Sequence, residues 1–288
     1  MTAASPEPPF RRLGPDAPAS PVILSVPHAG RVYSPALLRS ARLPQARLET
    51  LEDRLVDRLV WRAVADGAVA VIADVPRAEI DLNRDERELD PAMVAPRPHP
   101  NDVDDTPRTR GGLGLVPARI AGVGSIWRQR IPAAEVARRV GQVHRPYHAA
   151  LEAELAAARA RFGIAVLLDC HSMPPRSESG GEAPIVLGDR FGTSISADLI
   201  DAAERTVREA GFRVARNAPY AGGHITARHG RPGEGVHALQ LEIDRSLYLA
   251  PDLRSPGPHF DRVALLIACI TRALGERALE PPHAIAAE

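Results

Sequence analysis

The sequence of 288 residues is poor in cysteine: it has only Cys170 and Cys269, and neither belongs to a Cys-x-x-Cys pair. Two cysteines are too few for a disulfide framework, so a reducing cytoplasm is the expected compartment. The chain also lacks an excess of either charge, since 36 basic residues balance 36 acidic ones. No overall field therefore attracts nucleic acid or an anionic membrane surface, and a charged ligand has to be recognised locally.

Long hydrophobic runs are missing as well. No segment approaches the ~20 apolar residues that a membrane-spanning helix needs. Residues 1–20 lack the basic start and apolar stretch of a secretory signal. We therefore expect a soluble intracellular protein that binds neither nucleic acid nor membranes. The sequence does have 44% hydrophobic residues, which is ample for a buried core.

Short apolar runs alternate with segments of helical periodicity along most of the chain. The pattern predicts strands at 22–26, 68–75, 164–170, 183–188 and 236–243, and helices at about 47–65, 133–161, 194–210 and 259–274. Strands separated by helices indicate an α/β fold with a mainly parallel sheet that is covered on both faces. We predict one domain over residues 21–275, with residues 1–20 and 276–288 as flexible termini.

Residues 89–132 differ from the rest of the predicted domain. They are rich in proline, glycine and arginine and show little periodicity. A loop of this length inside a compact domain is usually functional. We predict that it forms a rim or lid over a binding site.

Histidines follow two of the predicted strands. "VILSVPHAG" places His28 just after the first strand, and "LLDCHSMPP" places His171 where another apolar run stops. Ligands of such sheets bind beyond the carboxyl ends of the strands, so these two side chains can converge there. Either histidine alone could simply cap a turn, but the pair suggests a metal site.

A third metal ligand is expected to be acidic, because catalytic zinc sites often combine two histidines with a carboxylate and keep one position for water. The best candidates are Asp53 and Asp57, which are four residues apart and share a face of the predicted helix, whereas Glu52 points elsewhere. The alternative that both aspartates are solvated charges paired with Arg54 and Arg58 stays open.

Three further stretches of sequence contain polar residues that are candidates for substrate binding or catalysis. "DLNRD" places Asn83 beside Arg84, and such a pair suits a substrate carboxylate, although charged loops of this kind are common. Glu242 interrupts the apolar strand "VHALQLEI", where a carboxylate is costly unless it is paired, ligated or catalytic. The turn "YAGGHITARHGRPGEG" offers His224 and Arg228 as donors and has no P-loop pattern, so phosphate binding is not expected.

The sequence offers two alternatives to this candidate site. His144 and His148 lie four apart in "HRPYH", a spacing that can bind zinc, but Pro146 and the lack of a following glutamate depart from the zincin pattern. We expect these histidines to line the site or to lie on a solvated helix face. Ser172 or Cys170 could act as a nucleophile, yet the chain has no Gly-x-Ser-x-Gly elbow.

Several ordered and dispersed motifs resemble the N-formylglutamate amidohydrolase family over about Pro21 to Arg272: "SVPHAGR", "DRLVDRL", "IDLNRD", "RPYHAAL", "LLDCHSM", "NAPYAGGHIT" and "GVHALQLEIDRSLYL". The resemblance implies a zinc-dependent hydrolase related to metallocarboxypeptidases and aspartoacylases, with an α/β fold around a mixed sheet. It also implies one zinc per chain. The substrate would be N-formyl-L-glutamate, as in histidine breakdown, or a similar N-acyl amino acid, and the first would yield formate and L-glutamate.

The resemblance also assigns roles by position. His28 and His171 match the metal histidines, and Glu242 matches the glutamate that acts on water. Asn83 and Arg84 match the pair that receives a substrate carboxylate.

Asp53 is the third ligand that the resemblance implies, although family members often show Thr-Asp-Trp where this chain has Glu52, Asp53 and Arg54. Arg77 is a second candidate for holding a substrate carboxylate, beside Arg84. A binding protein that kept the fold and lost catalysis remains the alternative, but it would have little reason to keep Glu242 in an apolar strand.

Overall fold

The computed structural model of the chain describes residues 8–104, 106–176 and 182–280. Its strands are β1 (Phe10–Leu13), β2 (Val22–Val26), β3 (Val69–Ala73), β4 (Val94–Ala95), β5 (Arg119–Ile120), β6 (Gly124–Ser125), β7 (Ile131–Pro132), β8 (Ala165–Met173), β9 (Ile185–Gly188), β10 (Val214–Arg216) and β11 (Val236–Asp244). Its helices are α1 (Pro35–Ser40), α2 (Gln45–Leu48), α3 (Val56–Leu59), α4 (Trp61–Ala65), α5 (Pro107–Arg110), α6 (Ala133–Arg139), α7 (Arg145–Phe162), α8 (Ala197–Glu209), α9 (His224–His229) and α10 (Phe260–Leu279).

The main sheet has seven strands in the order β1-β3-β2-β8-β11-β9-β10. The four central strands, β3, β2, β8 and β11, run parallel to one another. At the edges, β1 is antiparallel to β3 and β9 is antiparallel to β11. The predicted α/β fold with a mixed, largely parallel sheet is therefore confirmed, and so are the five predicted strands.

Helices cover both faces of this sheet, which explains why its central strands are apolar throughout. On one face, α3, α4, α8 and α10 pack over the side chains of alternate strand residues such as Leu24 and Leu168. On the other face, α6, α7 and the residues of the 89–132 segment pack over Ile23 and Leu167. Among the described residues, no helix is both long enough and apolar enough to cross a membrane.

The predicted helix at 47–65 is wrong as a continuous element. It is interrupted between α2 and α3, where Glu52 is extended and Leu55 adopts a left-handed conformation with φ of 63°. The backbone N–H of Asp53 donates to the carbonyl of His28 (2.9 Å) instead of to a helical partner. Asp53 and Asp57 therefore do not share a helix face.

The predicted N-terminal arm differs from the structure at β1, which pairs with β3 along the edge of the sheet. Arg12 fixes this strand by donating two hydrogen bonds to Glu154 on α7 (2.6 and 3.1 Å). Periodicity misses so short a strand because its alternation covers only four residues. Residues 1–7 and 281–288 of the predicted termini lie outside the described residues, and α10 continues to Leu279.

Candidate active site

Three side chains predicted as metal ligands meet at the carboxyl ends of β2 and β8. These strands are parallel neighbours, so His28, just after β2, lies close to His171 on β8. The break before α3 brings in Asp53. His171 Nδ1 lies 3.2 Å from His28 Nδ1 and 3.1 Å from Asp53 Oδ2, and His28 Nδ1 lies 3.4 Å from the same oxygen. All three residues are buried.

These separations fit the ligand set of a single metal ion. Donor atoms ~2.0–2.1 Å from a tetrahedral zinc ion lie ~3.3–3.4 Å apart, close to the distances between the three donors here. Two imidazoles and one carboxylate are also the donor types of catalytic zinc sites. This trio can therefore hold a zinc ion with little rearrangement.

Each histidine of the trio presents its other nitrogen to a buried carboxylate. His28 Nε2 lies 2.7 Å from Asp81, and His171 Nε2 lies 2.8 Å from Asp169. A carboxylate at this position accepts a hydrogen bond from the Nε2–H group. The Nδ1 lone pair then faces the other donors, as in carboxylate–histidine–metal groups. Arg77 in turn donates to Asp81 (2.9 Å). Sequence reasoning missed Asp81 and Asp169, although both are acids beside apolar runs, the same signal that singled out Glu242.

The other carboxylate oxygen of Asp53, Oδ1, accepts hydrogen bonds from two side chains. Arg245 Nη2 donates to Asp53 Oδ1 (3.1 Å), and the Ser172 hydroxyl donates to the same oxygen (3.2 Å). These two bonds fix the carboxylate so that Oδ2 faces His28 and His171. Burial raises the pKa of Asp53, but the adjacent imidazoles of His171 and His28 outweigh burial and hold the pKa well below its usual range.

Glu242 lies beside this trio on β11, where its backbone is directly opposite His171 in the parallel register. Its Oε1 accepts a hydrogen bond from Gln240 (3.0 Å). Burial raises the pKa of Glu242 to about 7, and the nearby Asp53 adds to the shift while His171 opposes it. A carboxyl group with such a pKa can accept and release a proton near neutral pH.

A cavity of about 350 Å³ opens in front of these residues. Four arginines line it: Arg77, Arg84, Arg108 and Arg245. Arg108 and Leu113 come from the 89–132 segment, which was predicted to form a rim over a site. The cavity thus combines the metal-ligand trio and Glu242 with a strongly basic wall.

Arg77, Asn83 and Arg84, three of the predicted substrate-binding residues, all line this cavity. Asn83 is largely engaged by the protein, because its Oδ1 accepts from the backbone N–H of Ile225 (2.8 Å) and its Nδ2 donates to Gln240 (3.3 Å). Arg84 uses Nε and Nη1 to donate to the carbonyls of Leu113 and Asn83 (2.8 and 2.7 Å).

The other predicted site residues lie behind that wall. His144, His148, His224 and Arg228 are not among the described residues that line the cavity. Instead, His144 Nε2 donates to the carbonyl of Arg84 (2.9 Å) and His148 Nε2 donates to the carbonyl of Leu82 (3.0 Å). These two histidines support the loop that carries the cavity residues.

Cys170 and Ser172, the side chains suggested as nucleophiles, lie in environments that do not suit that role. Cys170 belongs to the apolar core on one face of the sheet, and burial raises its pKa, which disfavours the thiolate. The Ser172 hydroxyl donates to Asp53, a metal-ligand candidate, and receives a bond from Arg245 Nε (3.1 Å). These surroundings do not favour either side chain as a nucleophile.

Comparison with known proteins agrees with a hydrolytic site on an α/β fold. The model of the N-formylglutamate amidohydrolase family matches residues 20–249. The N-formylglutamate deformylase of Pseudomonas putida is 32% identical over 236 residues, which cover 80% of this chain and 82% of that protein. The N-formylglutamate deformylase of Pseudomonas aeruginosa PAO1 is 30% identical over 266 residues, which cover 90% and 92%.

A solved structure is similar as well. The N-formylglutamate amidohydrolase from Ralstonia eutropha JMP134 superposes with a TM-score of 0.85 at 34% identity and covers 93% of this chain and 97% of that one. The fold and site define an amidohydrolase enzyme. The chain belongs to the N-formylglutamate amidohydrolase family.

Proposed function

We propose that the protein is a zinc-dependent deformylase that hydrolyses N-formyl-L-glutamate to formate and L-glutamate. The observation that carries the proposal is the convergence of His28, Asp53 and His171 within 3.4 Å of one another, beside Glu242 in a cavity walled by arginines. The names of the relatives from two Pseudomonas species support the choice of substrate.

The protein environment of the trio suits a divalent cation. Asp53, Asp81, Asp169 and Glu242 place four buried carboxyl groups around two imidazoles. These four carboxyl groups attract a positively charged ion. The hydrogen bonds at Nε2 of His28 and His171 direct the two Nδ1 lone pairs towards that ion. A zinc ion held here would supply a water of lowered pKa, towards ~7, and would polarise the carbonyl of the substrate.

Glu242 would perform the proton transfers. Its carboxylate accepts a proton from the attacking water and then passes this proton to the amide nitrogen of the departing amino acid. Protonation matters because an amide nitrogen is a poor leaving group without it. Gln240, which donates to Glu242 Oε1, holds the carboxylate in position for both transfers.

The cavity wall accounts for a substrate with two carboxylates. Arg77 is paired with Asp81, and Arg245 is paired with Asp53. Arg84 Nη2 and the guanidinium of Arg108 make no hydrogen bond or ion pair with the described residues. We assign these two groups to the substrate carboxylates, whose charge they can bind through charge-assisted hydrogen bonds.

The metal hypothesis is tested by zinc content and formate release measured on one preparation. His28→Ala, His171→Ala and Asp53→Ala should each lose one equivalent of zinc and nearly all formate release. Asp57→Ala is the matched control, because Asp57 pairs with Arg31 (2.6 Å) and should keep both properties. Unchanged zinc content and activity in the three variants would refute the site.

Substrate choice is tested with a panel of N-formyl and N-acetyl derivatives of acidic, neutral and basic amino acids. We expect the highest kcat/KM for N-formyl-L-glutamate. A clear preference for another N-acyl amino acid would support the hydrolase activity but contradict the proposed substrate. Failure to hydrolyse any member of the panel, in protein that carries zinc, would favour a binding protein.

A further inference from the structure

A second cluster of histidines lies behind the arginine wall, outside the proposed active site. His144 ends a π-helical segment that leads into α7, His148 lies one turn later, and His224 begins α9. One ring nitrogen from each of the three lies within 4.8 Å of one from each of the others. His144 and His148 are fully buried, and the His224 side chain is 11% exposed.

Backbone carbonyls determine the tautomers of two of these rings. The Nε2 atoms of His144 and His148 face the carbonyl oxygens of Arg84 and Leu82 at 2.9 and 3.0 Å. A carbonyl oxygen can only accept a hydrogen bond, so each Nε2 carries the proton. Each Nδ1 therefore presents a lone pair, which is the form of imidazole that binds a metal.

Two nitrogens of the cluster are buried without a hydrogen-bond partner among the described residues, namely His144 Nδ1 and His224 Nε2. Leaving a buried polar atom unpaired costs ~1–3 kcal/mol, so such atoms usually have a ligand or an ordered water. On the far side of the His224 ring, Nδ1 lies 3.6 Å from Asp85 Oδ2. A proton on Nδ1 leaves the Nε2 lone pair for a ligand.

We propose that His144 Nδ1, His148 Nδ1 and His224 Nε2 bind a second divalent transition-metal ion, with zinc as the best fit. Three neutral imidazoles form a known zinc ligand set. Glu86 Oε1, 3.6 Å from His144 Nδ1, is a carboxylate within reach of the fourth position. Nitrogens within 4.8 Å of one another need to move inward by less than ~1 Å each to reach the ~3.3 Å spacing of zinc ligands.

Metal binding would replace one hydrogen bond of the metal-free protein. His229 Nε2 lies 3.0 Å from His148 Nδ1 and donates to it when no metal is present. The metal would instead join α7 to α9 directly. Because His144 and His148 also hold the carbonyls on either side of Asn83, the ion would stiffen the loop that carries Asn83 and Arg84.

The test is the zinc stoichiometry of desalted protein, measured by elemental analysis after zinc loading. Wild-type protein should hold two equivalents. The double variant His28→Ala with His171→Ala should retain one equivalent, which reports the second site independently of catalysis. Adding His144→Gln to that variant should remove the remaining equivalent, whereas adding His259→Gln, at an exposed histidine, should leave it in place.

Circular dichroism of each variant establishes that it is folded. The proposal is overturned if wild-type protein holds a single equivalent and the double variant holds none, since the cluster is then a hydrogen-bonded group only. It is also overturned if folded His144→Gln protein retains two equivalents. Neither result would affect the proposed active site, which depends on His28 and His171.

Discussion

Glu242 illustrates how its neighbours determine the chemistry of a residue. On the sequence it is an acid in an apolar strand, which predicts that it is paired, ligated or catalytic, and the family resemblance predicts that it acts on water. In the structure, the parallel register places it opposite His171, and burial raises its pKa to about 7. An ordinary surface glutamate would be a much weaker base at neutral pH, so position and environment together suit Glu242 to proton transfer.

Replacing Glu242 by glutamine should lower kcat for formate release by at least ~10²-fold, because an amide cannot accept the proton from water. Zinc content should not change, since Glu242 is not one of the three ligands. Asp244→Asn on the same strand is the matched control: Asp244 is also buried, but it accepts a hydrogen bond from the Ser246 hydroxyl (2.6 Å). That control should lower the thermal midpoint with little effect on kcat. A Glu242→Gln protein that is destabilised yet active would show that Glu242 is only structural.

Arg108 is a proposed carboxylate-binding residue that sequence reasoning did not identify. It lies in a segment rich in arginine, where nothing in the local pattern distinguishes it from Arg97, Arg110 or Arg119. The fold selects it by placing its side chain in the cavity wall, close enough to Arg84 to disfavour the charge of that guanidinium. Burial is the main cause of the lowered pKa of Arg84, and repulsion by Arg108 adds to it. A bound carboxylate would relieve this repulsion.

Arg108→Gln should therefore reduce kcat/KM for N-formyl-L-glutamate by roughly tenfold or more through loss of a charge-assisted hydrogen bond. We further assign Arg108 to the side-chain carboxylate, so the variant should affect N-formyl-L-glutamine, which lacks that group, much less. Arg97→Gln, at an exposed arginine that does not line the cavity, is the control and should leave both values unchanged. An equal loss for the two substrates would mean that Arg108 does not contact the side-chain carboxylate.

At the scale of elements, strands were easier to predict than the connections between them. An apolar run marks a buried strand because burial on both faces requires apolar residues, and this located His28, His171 and Glu242 at strand ends or in strands. The periodicity at 47–65 correctly predicted helical structure in α3 and α4. It did not predict the break at Asp53, because that break depends on a hydrogen bond to His28, a residue distant in the sequence.

The turn from Ala221 to His224 also depends on a long-range contact. A Cβ atom on Gly223 would lie 2.2–2.4 Å from the side-chain amide of Asn83, so only glycine allows this approach. The amide of Asn83 accepts a bond from Ile225 at the start of α9 and thereby ties the turn to the loop before Arg84. Local sequence shows a flexible turn but not the partner that it contacts.

Gly223→Ala should displace either Asn83 or the turn, and both carry cavity residues. We expect kcat/KM for N-formyl-L-glutamate to fall by ~10-fold or more, since small misplacements of substrate-binding groups are costly to catalysis. Gly233→Ala is a matched control because a Cβ atom there meets nothing within 4 Å. Wild-type kinetics in Gly223→Ala protein would show that the turn can move without affecting the cavity.

At the scale of the whole molecule, the parallel centre of the sheet brings residues from distant parts of the sequence to one edge. His28, Asp53, His171 and Glu242 come from four separate segments, and the adjacency of β2, β8 and β11 assembles them. Strand order was not predictable from periodicity, because it depends on which buried strands pair. The edge strands β1 and β10 were also missed, and β1 in particular extends the sheet into residues predicted to be flexible.

The contribution of β1 to the fold can be measured by truncation. Deleting residues 1–14 should lower the thermal midpoint by ~5 °C or more, which corresponds to a loss of roughly 3 kcal/mol in a chain of this size. The deletion removes the pairing of β1 with β3, the bonds from Arg12 to Glu154 and the edge contact of the Phe10 ring with Tyr147. It also exposes the edge of β3, which should promote association between molecules.

Deleting residues 1–7 is the matched control for that truncation, because it removes half of the same segment and leaves β1 intact. Light scattering during heating separates association from unfolding, and Phe10→Ala in the full chain should give an intermediate thermal midpoint. If the chains lacking residues 1–7 and 1–14 melted at the same temperature and scattered equally, β1 would not stabilise the sheet. The stability of the parallel centre would then depend on the helices that cover its two faces.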